Sequence, residues 1–287
     1  MEGTKRVNNY LKLVKFSHTI FAMPFAFIGY FMAVHHGYKL NWIKFSLVIL
    51  SMILARNAAM AFNRYVDRKI DLKNPRTVVR EIPKGIIKPK SALRFVILNS
   101  IAFIITTYFI NKLTFFLSPI ALFIILLYSI TKRFTALCHF VLGLGLSLAP
   151  IGAYLAISGK FAWLPLIFSL IVLFWVSGFD IIYALQDEQF DITENLKSIP
   201  AFMGIKNAIK FSIIIHFFST VFVILAGIAG NLGLWYWIGA CLFILLLTYQ
   251  HILVKPNDLS KLNQAFFTSN GIASLIFAIF TILDFTR

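Results

Sequence analysis

The stretch NRYVDRKID, Asn63 to Asp71, closes an apolar run over 43–62 and carries five charges in nine residues. Asn63, Asp67 and Asp71 recur at i, i+4 and i+8, which on a helix is one stripe. Like charges at that spacing repel by a few tenths of a kcal/mol when exposed, and by more beside lipid. A chain that sets two carboxylates on one face at the mouth of an apolar segment has to be read from its surroundings outward.

Those surroundings are lipid-like. The 287 residues are 59% hydrophobic and 13% charged, with a mean hydropathy of +0.83. A soluble domain carries about 25% charged residues. Apolar runs at 16–35, 43–62, 93–110, 113–130, 136–158, 162–183, 208–229, 233–254 and 265–284 are each long enough to cross a hydrocarbon core of about 30 Å as a helix. Helices are the default there, because every backbone group has to be satisfied inside the segment. The expectation is an all-α integral membrane protein with nine transmembrane helices in one domain, 1–287, and cytoplasmic active-site loops at 63–92 and 185–207. The basic N-terminus followed by an apolar run is read as the first span, since no small-x-small cleavage site follows.

Most of the 27 Lys and Arg residues fall on one side of these spans. Only Lys39, Lys44, Lys112, Lys160 and Arg287 fall on the other, and Arg56 lies within span two. The richer side is expected to be cytoplasmic, placing the N-terminus inside and the protein in the inner or plasma membrane. The net charge of +16 does not imply nucleic acid, because the cations sit in short loops between apolar spans rather than on a soluble basic face. Cys138 and Cys241 have no ligand spacing and read as packing residues.

The acids cluster on that same side. Asp67, Asp71 and Glu81 follow span two; Asp180, Asp187, Glu188, Asp191 and Glu194 end or follow span six. Asp67 to Asp187 and Asp71 to Asp191 are both 120 residues apart. Four spans lie between, so the two sites share an orientation, and two four-helix halves plus a ninth helix are expected around a central cavity. In DIIYALQDEQFD, Asp180, Tyr183, Asp187 and Asp191 again share one helical face. Taken singly, either cluster reads as a solvated helix end paired with Arg64, Arg68, Lys69 and Lys73. Two matched stripes on one membrane face point instead to a site.

Paired carboxylates without a nearby His or Cys suit Mg²⁺, which takes oxygen ligands and shares them with substrate phosphates. Arg76, Arg80, Lys84, Lys132, Arg133 and Lys197 lie around them. Each alone reads as a topology residue; together they favour a diphosphate held through the metal. The rest of that substrate is expected to be apolar, with some of the 31 Phe and 10 Tyr lining a channel for an isoprenoid tail and facing an allylic cation.

The motif N-x3-D-x3-D after span two, with D-x2-Y-x3-D-x3-D after span six, resembles the UbiA superfamily of intramembrane aromatic prenyltransferases. RTVVREIPKG is similar to its R-T-x2-R-P-[LI]-x2-G stretch, YSITKRFT to Y-x3-K-R-[FY]-T, and KSIPAFMG to its K-[ST] segment. The resemblance covers nearly the whole chain in order. It implies Mg²⁺-dependent ionisation of a polyprenyl diphosphate and attack by an aromatic acceptor in quinone biosynthesis. It implies Asn63, Asp67, Asp71, Asp187 and Asp191 as holders of Mg²⁺ and diphosphate. Arg76, Arg80, Lys132 and Lys197 would touch the diphosphate. Asp180 would lie in or behind the acceptor region, and Tyr183 near the cation or orienting a carboxylate.

The chain departs from the family pattern at Arg64, where Asp is common, and at Glu81-Ile82, which displace the usual Pro to Pro83. KFSHTIFAMPFAFIGY in span one looks like the branch called 4-hydroxybenzoate polyprenyltransferase by homology, part of which resembles menaquinone prenyltransferases of the futalosine pathway. The alternative reading is a transporter of Mg²⁺ or an anion. His18 reads as an interfacial packing residue and His35 and His36 as solvated outer-loop residues. His139, His216 and His251 form no ligand spacing.

Overall fold

A computed structural model describes residues 2–14 and 23–287. Its helices are α1 (Glu2–Leu13), α2 (Met23–His35), α3 (Trp42–Lys73), α4 (Pro89–Ile110), α5 (Lys112–Thr131), α6 (Cys138–Ser158), α7 (Trp163–Ala184), α8 (Glu188–Thr193), α9 (Ile199–Ala229), α10 (Leu234–Leu253) and α11 (Asn270–Phe285). Among the described residues there is no named strand, and the all-α expectation holds. Among the described residues, eight segments are long and apolar enough to cross a membrane. The first expected span, 16–35, meets the 13-residue α2; its residues 16–22, with His18, lie outside the described residues.

Boundaries depart from hydropathy at the polar ends. α3 does not stop at residue 62 but runs on through the NRYVDRKID stretch to Lys73, so the Asn-Asp-Asp stripe is helical as its spacing requires. Likewise α9 starts at Ile199, ahead of the apolar run at 208, because Ser198 accepts the Ala201 N–H as N-cap and Pro200 fits the first turn. Much of 63–92 and 185–207, expected as loops, is therefore helix. α9 breaks at Gly204, whose φ of 77° is one that glycine adopts without strain.

Small residues set the closest crossings. A Cβ at Gly29 would lie 2.0 Å from the Pro150 carbonyl oxygen, and one at Gly143 would lie 2.5 Å from the Leu173 carbonyl oxygen. Thus α2 packs on α6 and α6 on α7 backbone to backbone. The main core joins α2, α7, α10 and α11 through Phe25, Trp175, Phe243 and Phe277, all fully buried. Their rings meet at centroid distances of 5.0–6.0 Å. On α4, by contrast, Leu98, Ile101, Ile105 and Phe109 face outward, as a lipid-facing flank does. At the corner between α4 and α5, Asn111 accepts the Thr114 N–H and donates to the Leu155 and Ala156 carbonyls. One amide thus starts α5 and satisfies carbonyls near the end of α6.

Candidate active site

The ends of α3 and α7 meet, and the two acid clusters become one site. Asn74 caps α3 and donates to Asp187 Oδ1 at 3.1 Å. Arg76, two residues on, grips both oxygens of Asp187 in a fork, with Nε 3.0 Å from Oδ1 and Nη2 against Oδ2. Burial works against the Arg76 charge. The hydrogen bonds and charge of Asp187 outweigh it and raise the guanidinium pKa. Arg76 also donates to the Tyr183 hydroxyl at 3.3 Å and lies over its ring.

The other carboxylates each hold a cation. Arg80 bonds Asp71 at 2.6 Å, Arg133 bonds Asp67 at 3.1 Å, and Lys132 lies 2.8 Å from Asp191. Asn63 donates to Asp67 at 3.0 Å, as one helical turn allows. Asp191 is fully buried and accepts a second bond, 2.7 Å from Ser198. At the rim Lys73 reaches Glu194 at 2.6 Å. Four connections converge here: the turn after α3, the turn between α5 and α6, the end of α7 and the start of α9.

Each residue expected at the site falls in or beside this assembly, with two distinctions. Lys197 touches it through its backbone, which donates to the Lys132 carbonyl at 2.7 Å, while its side chain is exposed. Asp180 lies one turn deeper on α7 than Tyr183 and bonds His139 at 2.7 Å rather than a cation of the rim. The second ring nitrogen of His139 accepts the Ile199 N–H, so the first is the one that donates to Asp180. Arg64 points inward and is 4% exposed, close enough to Asp71 and Glu81 to feel their charge.

Sequence reasoning missed several features. His139 serves Asp180, and His216 pairs with His251 at 2.8 Å while donating to the Trp175 carbonyl. His35 and His36, read as solvated, are exposed but bonded to the Phe285 carbonyl and the Tyr154 hydroxyl. A π-helical turn over Gln264–Ser269 sets Phe266 against the Tyr183 ring, 4.0 Å between centroids. Asn270 pins that turn by donating to the Ala265 and Phe266 carbonyls and accepting the Trp175 indole N–H.

Below the carboxylates lies a cavity of about 730 Å³ between α3, α4, α5, α6 and α7. Its near end, at Met60 and Tyr128, is one turn of α3 below Asn63, and its far end reaches Phe161 and Trp163. The lining is apolar, and Arg56 is the one charged side chain on it among the described residues.

Among the described residues no three His, Cys, Asp or Glu side chains stand close enough together to hold a metal ion. The donor set nevertheless fits a hard cation. Its oxygens come from Asn63 and four Asp, and Asp71 Oδ2 is buried without a hydrogen-bond partner.

The model of the UbiA prenyltransferase family matches residues 22–271. The 4-hydroxybenzoate octaprenyltransferase of Aliivibrio fischeri (strain MJ11) is 28% identical over 240 residues, 83% of this chain and 82% of its own. That of Francisella tularensis subsp. novicida (strain U112) is 27% identical over 228 residues, 79% and 80% respectively. The apo structure of a UbiA homolog from Aeropyrum pernix K1 superposes with a TM-score of 0.85 at 30% identity, covering 93% of this chain and 98% of that one. A UbiA homolog from Archaeoglobus fulgidus bound to GPP and Mg²⁺ shares the fold, with a TM-score of 0.77 at 21% identity over 97% and 100%. A multi-pass helical membrane protein with paired carboxylates above an apolar cavity, this chain belongs to the UbiA prenyltransferase family.

Proposed function

We propose that this enzyme transfers a polyprenyl chain from its diphosphate to an aromatic acid, 4-hydroxybenzoate or a related quinone precursor, at the cytoplasmic face of the membrane. One observation carries the reading: four carboxylates and four cations from distant parts of the chain converge at the mouth of an apolar cavity. The cations match a diphosphate, the carboxylates its counter-ion, and the cavity its tail. The crowding of the acids at one end, with family membership, leaves the transporter reading without support.

Asn63, Asp67, Asp71, Asp187 and Asp191 would hold Mg²⁺, which when bound neutralises the charge growing on the leaving diphosphate. The ion pairs then exchange partners. Arg76, Arg80, Lys132 and Arg133 turn from carboxylate to phosphate oxygens, where Arg binds in a fork and Lys as a point charge. The allylic carbon–oxygen bond breaks, its electron pair leaves with the diphosphate, and the cation forms beneath the Tyr183 ring. The apolar lining keeps water away. An aromatic carbon of the acceptor supplies the electron pair of the new carbon–carbon bond, and the ring then releases one proton. Asp180, steered by His139, takes that proton. Arg56 offers the acceptor carboxylate a charge partner within the cavity.

Reconstituted protein is incubated with geranyl or octaprenyl diphosphate, Mg²⁺ and a panel of hydroxybenzoates and naphthoates, and products are identified by mass spectrometry. The expected result is a prenylated aromatic acid whose formation Asp67→Ala and Asp187→Ala abolish. No prenylated acceptor from any pair would overturn the reading.

A further inference from the structure

Arg64 is 4% exposed and yet bonded to nothing. Among the described residues it makes no hydrogen bond and no ion pair, and its Nε is buried without a partner. An uncompensated buried charge is strongly destabilising, whereas an apolar side chain of similar volume would pack there without that penalty. Packing in the free protein therefore does not account for an arginine at this position. A state in which the guanidinium gains a partner does.

An atom of opposite sign, also without a partner, belongs to the same helical face. Asp71 follows Arg64 on α3 at i+7, about two turns on, and is likewise 4% exposed. Arg80 holds its Oδ1 at 2.6 Å, while its Oδ2 is buried without a hydrogen bond. Arg80 and Asp71 are both near enough for their charges to act on Arg64, and Glu81 acts on it more weakly. Two guanidiniums thus stand near one carboxylate, and Arg80 has it. Repulsion between the two cations keeps Arg64 off. Arg80 is the one free to move: it sits in the turn between α3 and α4, and its side chain is 19% exposed against 6% for Asp71. Once a diphosphate takes Arg80, the repulsion goes with it and Asp71 is left buried without a counter-charge.

We propose that Arg64 is a positioning residue that relieves Arg80: when the diphosphate donor draws Arg80 away from Asp71, Arg64 takes Asp71 in its place, and the carboxylate keeps both a counter-charge and its position. In the free protein Arg64 is held in reserve. The donor's part in the exchange rests on the prenyl-transfer reading above. The pairing of Arg64 with Asp71 whenever Arg80 is missing does not.

The first test is a double-mutant cycle on the unfolding temperature, in detergent and without substrate. Arg64→Met removes the charge at similar volume and is expected to leave the unfolding temperature unchanged or higher, since Arg64 has no bond to lose. Arg80→Met is expected to lower it slightly, because Arg64 then pairs with Asp71. The double variant should fall about 2 °C or more below the sum of the two shifts. Failure of the double variant alone to fold is the extreme of the same result. In an Asp71→Asn background the excess should vanish. Additive shifts, an excess that survives Asp71→Asn, or a steep fall in Arg64→Met alone would each overturn the inference. The second test is kinetic, with geranyl diphosphate, Mg²⁺ and an acceptor. Arg64→Met is expected to raise KM for the donor about tenfold with kcat nearly unchanged, and Arg64→Lys to restore most of it. An unchanged KM would overturn the exchange even where the cycle shows the pairing. Absence of product from wild type would overturn the proposed activity, while the cycle still decides whether Arg64 and Asp71 pair.

Discussion

Arg76 clasps both carboxylate oxygens of Asp187 across 111 residues of sequence, joining the end of the second long apolar segment to the end of the sixth. The pair also carries the Tyr183 hydroxyl on its free edge. A lysine would keep the charge and lose the fork. Arg76→Lys is therefore expected to lower kcat/KM for the diphosphate donor by about a hundredfold, with Arg76→Ala worse. Steady-state kinetics in liposomes checks this, and a Lys variant of near wild-type activity would contradict it.

Asp191 is wholly buried and shared between Lys132 and Ser198. Removing it strands Lys132, whose side chain is one-third exposed and so keeps part of its hydration. Asp191→Ala should cost about 1–3 kcal/mol of stability, below the range for a fully buried pair, and abolish transfer. Thermal unfolding in detergent reads the first effect and product formation the second.

Asp67, Asp71, Asp187 and Asp191 each already have their own cation, so the fold is expected not to depend on a metal. Chelation is expected to stop transfer completely while leaving the unfolding temperature unchanged, with activity restored by added Mg²⁺. A large fall in unfolding temperature on chelation would show the metal to be structural instead.

The His139–Asp180 bond predicts a division of labour. Asp180→Asn should lower kcat by about a hundredfold or more, as loss of a proton acceptor does, with little change in KM for the diphosphate. His139→Ala should give a milder loss of kcat, since the carboxylate remains but is no longer held. Equal losses in KM and kcat for Asp180→Asn would argue for a binding role.

Two glycines of similar appearance in sequence should respond in opposite ways. Gly29→Ala drives a methyl onto the Pro150 backbone and is expected to destabilise by about 1–3 kcal/mol, the usual cost of overpacking. Gly152→Ala meets open space and should be neutral or stabilise by up to about 1 kcal/mol from helix propensity. Paired unfolding curves in the same detergent settle it.

The contrast shows what was legible in the sequence. Periodicity exposed the Asn63–Asp67–Asp71 stripe, because a helix fixes which residues share a face; the expected single face of Asp180, Tyr183, Asp187 and Asp191 is interrupted, since α7 ends at Ala184 and a tighter turn over Leu185–Asp187 precedes α8. Periodicity assigned no partners, since Arg80 on Asp71 and Lys132 on Asp191 depend on how loops fold over the helix ends. Hydropathy found the cores of the spans but lost the polar turns of α3, where the charges of 63–73 hide continuous helix, and the turns that Ser198 starts ahead of the break at Gly204 in α9. His216 and His251, on separate helices 35 residues apart, gave no spacing signal. Nor did any local pattern separate Gly29, pressed on a neighbour, from Gly152, beside a void.

The Asn111 amide ties α4, α5 and α6 together at the end remote from the carboxylates, using uncharged hydrogen bonds alone. The opposite end is latched by charge. Salt screens exposed charges and leaves amide bonds largely untouched, so of these contacts the ones open to ionic strength are the exposed pairs of the rim, such as Lys73 with Glu194. The charged latch is also the part of the bundle whose pairs a diphosphate would have to exchange, so on the proposed reading donor binding and the closure of that end draw on the same arginines.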